Sequence, residues 1–338
     1  MTTLSFVGAG SLGQSFAGLL AAHGQSVVLL ATPASCERFQ LAGAIRLRGV
    51  VELDVPVRSI PGEAGTVAVI DDAHDIPDGA GVIFTTKGFH LPRAAAGVHA
   101  AWPRHGDDRA WVAGVQNGIV KDDLLRTEFE GRRVVGAVTI LGARREPSGE
   151  VTISSLGMTY LGELAGGTSP RVNAAADLLQ QAGIPTEANS EIQRVLWSKA
   201  CNAVGVFGVS VLTRGSAPSL QRNPDLLRAY LSLVRETAAL AAAFGVQVGD
   251  YAGFPIQTYV KRSDEDTLAA VLARQPASPS QTQGPEGMPS MTQDLLAGRP
   301  MEADEVFSDL VARAAQVGVP VPRIALVRDL ICGLNRRQ

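Results

Sequence analysis

The segment LSFVGAGSLG at residues 4–13 constrains the fold of this chain more than any other. An apolar run typical of a buried strand leads into three glycines spaced as GxGxxG, and an apolar helical pattern follows. In such a strand–turn–helix unit the first glycine permits a tight turn, the second lets a pyrophosphate approach the backbone, and the third lets the helix pack closely. The alternative is a purely structural turn. The motif predicts a dinucleotide-binding loop made of Gly8, Ala9, Gly10, Ser11, Leu12 and Gly13.

Strand and helix patterns alternate through the first half of the chain. Runs rich in Val and Ile predict strands at 4–8, 26–30, 81–86, 110–115 and 133–141. Helical patterns lie between them at Leu12–Ala22, Leu91–Ala101 and Arg171–Ala182. This alternation predicts an α/β fold with a parallel sheet covered by helices on both faces, and strands near 151–154 and 158–162 are expected to extend the sheet edge.

The character of the sequence changes after about residue 190. Long helical patterns replace the strands, at Glu191–Leu212, Pro224–Phe244, Glu302–Val317 and Arg323–Asn335. A stretch rich in Pro, Ser, Gln and Gly, Gln275–Pro289, predicts a surface loop. We therefore predict a Rossmann-type NADP-binding domain at 1–189 and a mostly α-helical domain at 190–338 that serves the substrate or dimerisation.

Composition excludes several classes of protein. The 338 residues carry a net charge of −3, which gives no reason to expect nucleic acid or an anionic membrane as a partner. No signal peptide or transmembrane run is evident. Three widely spaced cysteines, without CxxC, indicate free thiols in a reducing compartment. We expect a cytoplasmic protein, and no histidine pairing suggests a metal site.

The end of the second predicted strand bears on the choice between NAD and NADP. An acidic residue there would bind the ribose 2′-hydroxyl of NAD, but LLATPAS at 29–35 contains none. Thr32 and Ser35 could donate hydrogen bonds to a 2′-phosphate, and Arg38 lies one helical turn away. Arg38 could equally be a solvated helix residue. The pattern favours NADP over NAD.

Lys199 stands at the head of a long uncharged run. No further charge occurs until Arg214, although the run otherwise has the composition of a protein interior. A lysine in this setting either extends its ammonium to water or has a function that requires charge.

Several segments, taken in order, resemble the ketopantoate reductase (2-dehydropantoate 2-reductase) family. They cover most of the chain and are GAGSLG at 8–13, TTKGFH at 85–90, QNG at 116–118, GARREPSGEV at 142–151, LWSKA at 196–200, and SMTQD at 290–294 with Glu302 following. The resemblance implies a Rossmann domain, a helical domain and a cleft between them. It also implies NADPH-dependent reduction of a 2-keto acid, most simply 2-dehydropantoate to pantoate.

The resemblance also implies roles for individual residues. Lys199 would be the catalytic lysine and Glu302 its acidic counterpart, Lys87 and Asn117 would line the cofactor and substrate side, Ser290 would hold the substrate, and Asp294 would support that segment. The chemistry agrees, because an ammonium stabilises the oxyanion formed by hydride delivery and can donate a proton. Burial lowers a lysine pKa and a nearby carboxylate raises it, so the two effects could oppose each other at Lys199. Without the resemblance, Lys87 is interpreted as a solvated lysine at a strand end and Asn117 as a turn residue. Glu302 and Asp294 are then interpreted as residues on a solvated helix face.

The sequence departs from the family where amides are expected after the lysine. Ala203 and Phe207 stand at those positions, and the nearest amide, Asn202, is one residue early and rotated by about 100° on a helix. Asn202 would therefore bind substrate only if the helix shifts locally. These losses make the substrate uncertain, so the alternatives are a related dehydrogenase acting on another branched 2-keto or 2-hydroxy acid, or a non-catalytic NADP-binding sensor. Apolar helical domains of this kind often pair, which leaves a homodimer open.

Overall fold

The computed structural model describes residues 3–102, 109–273 and 287–336. The chain divides into two compact units, residues 1–116 with 121–193 and residues 117–120 with 194–338. This division differs from the predicted boundary at 189/190 mainly because a short segment near residue 117 packs with the second unit. Most of the predicted loop at 275–289 lies outside the described residues.

A nine-stranded sheet forms the centre of the first unit. Its strands, in chain order, are β1 (Leu4–Val7), β2 (Ser26–Leu30), β3 (Ala44–Gly49), β4 (Leu53–Arg58), β5 (Thr66–Ile70), β6 (Gly81–Phe84), β7 (Trp111–Gly114), β9 (Gly142–Arg145) and β10 (Val151–Ser155). A second, three-stranded sheet contains β8 (Val135–Thr139), β11 (Thr159–Glu163) and β12 (Thr186–Ala188). Helices of this part of the chain are α1 (Ser11–Ala22), α2 (Pro33–Ala42), α3 (Leu91–Ala101), α4 (Val120–Glu128) and α5 (Pro170–Gln181).

The strand order of the large sheet is β7-β6-β1-β2-β5-β4-β3-β10-β9. Strands from β7 to β4 are parallel, whereas β3 is antiparallel to β4 and β9 is antiparallel to β10. The predicted parallel sheet is therefore confirmed for the six strands from the β7 edge to β4, and antiparallel pairs occur beyond them. The sequence predicts that the strands near 151–154 and 158–162 both extend the edge of this sheet. That prediction is wrong, because β10 pairs with β3 in this sheet while β11 pairs with β8 in the other sheet.

Packing of α1 on the sheet places the glycine loop. The helix buries Phe16, Leu19 and Leu20 against the strands, and the rings of Phe16 and Phe6 stack at 5.6 Å. Each such side chain contributes about 1.5–3 kcal/mol of burial free energy. The start of α1 is thereby fixed at the carboxyl end of β1, where ligands bind in open parallel sheets.

The second unit is almost entirely helical. Its elements are α6 (Ile192–Thr213), α7 (Ala217–Arg222), α8 (Pro224–Ala243), α9 (Ile256–Lys261), α10 (Asp264–Ala273), α11 (Ser290–Leu296), α12 (Asp309–Val317) and α13 (Pro322–Asn335), with a short β13–β14 hairpin (Asp250–Tyr251 and Phe254–Pro255). A π-helical turn, Asp304–Ser308, leads directly into α12. Each unit thus has the predicted class, Rossmann-like α/β in the first and helical in the second.

Close helix packing in the second unit depends on small residues in α6. A Cβ added at Gly208 would lie 2.8 Å from Leu233 of α8 and 3.2 Å from Val327 of α13. Buried Glu236 of α8 accepts hydrogen bonds from the backbone N–H groups of Arg323 and Ile324, both at 3.0 Å. The carboxylate therefore caps α13, whose own N-cap, Val321, has no side chain that can do so.

Helix α6 is long and apolar enough to cross a membrane by length and composition. Its most apolar window has a mean hydropathy of 1.5, and 78% of that window is buried inside the protein. Packing against its neighbours accounts for this composition, as expected of a core helix.

Candidate active site

The glycine loop has the geometry that a dinucleotide requires. Gly8 has φ +111°, and a Cβ there would lie 2.8 Å from Thr86. A Cβ at Gly13 would lie 2.0 Å from the carbonyl oxygen of Gly8, so both positions require glycine. Gly10, the N-cap of α1, has no other atom within 4 Å of such a Cβ. Open space beside the backbone at the start of a twelve-residue helix fits a pyrophosphate.

Two side chains that the sequence analysis did not select hold this loop. The Thr85 hydroxyl donates to the carbonyl oxygens of Val7 at 3.1 Å and Gly8 at 2.8 Å. The Gln14 amide, almost fully buried in α1, donates to the carbonyl of Ala9 at 3.1 Å. The sequence signal for Gln14 was a glutamine inside an apolar helical pattern, six residues after the first glycine.

The remaining loop residues contribute backbone and packing. Ala9 and Leu12 pack, partly buried, against the main core of the first unit. Ser11 begins α1, and its carbonyl accepts the hydroxyl of Ser15 at 2.8 Å.

The end of β2 presents a polar cluster on the surface. Thr32 is the N-cap residue of α2, and its hydroxyl donates to Ser35 at 3.0 Å. The Arg38 guanidinium donates to the Ser35 hydroxyl at 2.7 Å. Hydroxyls and a guanidinium, with no carboxylate at this strand end, form a set suited to a phosphate rather than to a ribose hydroxyl.

Lys87 and Gln116 mark the carboxyl ends of β6 and β7. Lys87, half-buried, is the N-cap residue of a short 3₁₀ turn. The Gln116 amide donates to the carbonyl of Phe84 at 3.1 Å, while its buried Oε1 has no hydrogen-bond partner among the described residues. A buried oxygen of this kind costs about 1–3 kcal/mol, which a donor on a bound ligand would offset. Gln116 was not predicted as a site residue, although it begins the QNG segment.

Helix α6 carries a narrow open stripe along an otherwise buried surface. Within the described stretch 195–211, Lys199, Asn202 and Val206 keep partial exposure and all other residues are buried. Their spacing of three and four residues places them on one face of the helix. Ala203 and Phe207 are buried, so neither lies on this stripe.

Burial lowers the pKa of the Lys199 ammonium from its usual 10.5 to about 8. The side chain keeps partial exposure by surface area, yet it is densely surrounded, and desolvation disfavours its charge. The expectation that a carboxylate offsets this effect is not met, since no ion pair to Lys199 occurs among the described residues and burial alone causes the shift. A lysine with this pKa carries a readily donated proton near neutral pH.

Glu302 lies next to Asn117 instead. Glu302 is 3% exposed, and the Asn117 amide donates to its Oε2 at 3.5 Å. The contact depends on Gly118, which has φ +84° and whose added Cβ would lie 2.2 Å from the carbonyl oxygen of Glu305. Segment 117–120 can therefore approach the π-helical turn closely. The same turn holds Glu305, whose pKa is raised by burial and then by the nearby Glu302 and Asp304 carboxylates.

Ser290 and Asp294 both belong to α11. Ser290 is the first helical residue and is half-buried. Asp294, almost fully buried, accepts a hydrogen bond from Arg299 at 3.0 Å, which fixes the end of the helix. The Thr292 hydroxyl donates to that of Ser210 at 2.8 Å, so α11 is tied to α6. The buried Ser210 hydroxyl is therefore engaged in packing between the two helices.

Asn202 needs no local shift of α6 to reach the open stripe. The helix is continuous from Ile192 to Thr213, and Asn202 follows Lys199 by three residues on the same face. The Tyr230 hydroxyl donates to its Oδ1 at 2.9 Å. The structure thus corrects the expectation that the early position would turn this amide away.

Comparison with known proteins bears on the whole chain. The family model described as ketopantoate reductase PanE/ApbA matches residues 4–166, and its C-terminal counterpart matches residues 191–335. The chain belongs to the ketopantoate reductase family. A 2-dehydropantoate 2-reductase of Pyrococcus abyssi (strain GE5 / Orsay) is 25% identical over 327 residues, which are 97% of this chain and 96% of the relative.

Two solved structures share the fold of this chain. The 2-dehydropantoate 2-reductase of Geobacter metallireducens GS-15 is 22% identical with a TM-score of 0.78, covering 99% of this chain and 100% of that one. D-mandelate dehydrogenase, solved with NADH and anilino(oxo)acetate, is 18% identical with a TM-score of 0.76, covering 99% of both chains. At these identities the likeness establishes the fold alone.

Proposed function

We propose that this protein is an NADP-dependent oxidoreductase that reduces a 2-keto acid to a 2-hydroxy acid, with 2-dehydropantoate as its expected substrate. Membership of the ketopantoate reductase family supports the reaction class. The observation that carries the proposal is Lys199, a partly exposed lysine on a buried helix whose ammonium has a pKa of about 8.

The first unit supplies the residues that would hold the cofactor. The loop from Gly8 to Gly13 would take the pyrophosphate, and Thr32 with Arg38 would take the 2′-phosphate that distinguishes NADPH. Lys87 and Gln116 are the candidates near the nicotinamide end, because they follow β6 and β7, and Asn117 of the second unit comes next in the chain. When bound, NADPH supplies the hydride for the carbonyl carbon.

The second unit supplies the groups that would act on the substrate. As the carbonyl carbon is reduced, negative charge develops on its oxygen, and the Lys199 ammonium would stabilise that charge and transfer a proton to it. Glu302 would hold the Asn117 carboxamide in place. Ser290 would donate to the substrate, and Asp294 would keep α11 in position through Arg299.

The alternative substrate class is another branched or aryl 2-keto acid, with NADH as the alternative reductant. Two observations favour keeping it: Ala203 and Phe207 replace the expected amides, and the same fold occurs in D-mandelate dehydrogenase solved with NADH. A non-catalytic sensor is the less favoured reading, because a sensor has no need of a proton donor with the pKa of Lys199.

A spectrophotometric assay tests the proposal. NADPH oxidation is followed with 2-dehydropantoate and a panel of branched and aryl 2-keto acids, and each reaction is repeated with NADH. We expect the highest kcat/KM with NADPH and 2-dehydropantoate. Tight NADPH binding without turnover of any acid would refute the enzymatic function and favour the sensor. We also expect a cytoplasmic protein, and a homodimer that sedimentation would detect.

A further inference from the structure

The open stripe of α6 presents one neutral polar group beside the catalytic lysine. Lys199 and Asn202 are three residues apart, so their Cβ atoms lie about 5–6 Å from each other on the helix surface. Val206 continues the stripe with an apolar side chain. A substrate whose carbonyl oxygen meets Lys199 would therefore have a second polar group within reach of Asn202.

Tyr230 determines which end of the Asn202 carboxamide is available. Its hydroxyl donates to Oδ1 at 2.9 Å, which leaves the amide nitrogen as the group that faces away from this bond. Among the described residues, that nitrogen donates to no protein atom. The carbonyl end is thus occupied and the donor end is free.

Packing holds the tyrosine in this position. Tyr230 is 5% exposed, and its ring lies against the backbone of α6 at Gly205, where an added Cβ would be 2.5 Å from Cδ2. The ring of Tyr259 meets it edge-on with centroids 6.2 Å apart. The packed ring holds the hydroxyl beside Asn202, where it donates to Oδ1 and the amide nitrogen points away from this bond.

The Asn202 amide nitrogen can only donate hydrogen bonds. An amide nitrogen offers two N–H groups and accepts nothing, which matches a carboxylate, whose oxygens only accept. A hydroxyl would be served equally well by either end of the carboxamide and would not require Tyr230. We propose that Asn202, held by Tyr230, binds the carboxylate of the 2-keto acid; this rests on the proposed function.

Two variants of Asn202 test the proposal. Asn202→Asp keeps an oxygen for Tyr230 but replaces the donor with a negative charge, and Asn202→Leu removes both. Each is assayed with 2-dehydropantoate and with 3,3-dimethyl-2-oxobutanoate, which differs only by lacking the hydroxyl. We expect KM to rise by about 10-fold to 100-fold for both acids, the effect of a lost hydrogen bond to a charged group. In Asn202→Asp the high-pH limb of kcat/KM should also move upward, because a carboxylate beside Lys199 favours its charged form.

The positioning role of Tyr230 has its own variant and control. Tyr230→Phe should raise KM for both acids by about 3-fold to 10-fold, the effect of one neutral hydrogen bond, with kcat nearly unchanged. Ser232→Ala removes a hydroxyl of the same helix that donates only to the backbone carbonyl of Ala229, and it should leave KM as in the wild type.

The outcomes separate this proposal from the proposed function. A loss in Asn202→Asp confined to 2-dehydropantoate, or wild-type KM values in both Asn202 variants, would overturn the carboxylate contact. If the wild type turned over neither acid, the proposed function would fail, and binding of oxamate to the NADP⁺ complex would still decide the role of Asn202. Oxamate has the carboxylate but no hydroxyl, so binding to wild type and loss in Asn202→Asp supports the contact, whereas equal or absent binding contradicts it.

Discussion

At the scale of single residues, the account depends on the protonation of Lys199. Its pKa of about 8 is below the usual value because burial disfavours the charged form. The proton donor is therefore present below pH 8 and is lost as the pH rises through that value. An ordinary exposed lysine would keep its proton to above pH 10.

We predict that kcat/KM for keto-acid reduction falls about tenfold per pH unit above pH 8, as expected when one essential proton donor titrates. Lys199→Ala should lower kcat by about 100-fold or more and abolish this limb, and Lys199→Met is a matched variant that keeps the length of the side chain. The pH profile of wild type and variants provides the measurement. A wild-type kcat in Lys199→Ala would exclude this residue from the mechanism.

Arg38 provides a second prediction at this scale. Its guanidinium is held toward Ser35 at the end of β2, where a 2′-phosphate is expected. Arg38→Ala should raise KM for NADPH by about 10-fold, the effect of a lost charge-assisted hydrogen bond, and leave KM for NADH unchanged. Arg46→Ala on β3, a strand separated from β2 by β5 and β4, provides a control. Equal effects on both cofactors would argue against a phosphate contact.

At the scale of elements, several features could be read from the sequence and others could not. The apolar runs and the glycine loop predicted β1, β2, β6 and β7 to within three residues, because buried strands and tight turns leave strong local patterns. The run TVAVI of β5 carries the same pattern, and β3 and β4 alternate apolar with polar residues, but the predicted strands include none of the three. The separation of β10 and β11 into different sheets has no local signature, since pairing is a tertiary property.

The glycine loop yields a prediction that separates binding from folding. Gly10→Ala should raise KM for NADPH by about 10-fold or more without changing the free energy of unfolding, because the added Cβ meets only the space meant for pyrophosphate. Gly13→Ala should instead destabilise the fold, since its Cβ would collide with the Gly8 carbonyl. Urea unfolding and NADPH titration distinguish the two. An unaffected KM in Gly10→Ala would indicate that the phosphates lie elsewhere.

The contact of segment 117–120 with the π-helical turn yields a further prediction. Gly118→Ala should cost about 1–3 kcal/mol from positive φ plus the clash with Glu305, and it should lower kcat/KM by displacing Asn117 from Glu302. Gly43→Ala is the matched control, because Gly43 also has positive φ, 69°, but open space around it. Equal losses of stability in both variants, with normal activity in Gly118→Ala, would contradict the positioning role.

At the scale of the whole molecule, the family match spans both units, residues 4–166 and 191–335. The order of the motifs along the sequence predicted this membership. The orientation of Asn202 could not be predicted, since it depends on Tyr230, a residue 28 positions away that no motif includes. The open stripe of α6 could not be predicted either, because the residues that stay exposed depend on how the surrounding elements pack against the helix.

The most direct test of the account follows the hydride itself. The protein is incubated with NADPH deuterated at C4 of the nicotinamide, in separate 4R and 4S forms, together with 2-dehydropantoate, and the product is examined by NMR. We predict pantoate with deuterium at C2 from one of the two forms, and at least 100-fold slower transfer with Lys199→Ala, the scale of general acid catalysis. NADPH binding without deuterium transfer to this or any other 2-keto acid would contradict the account.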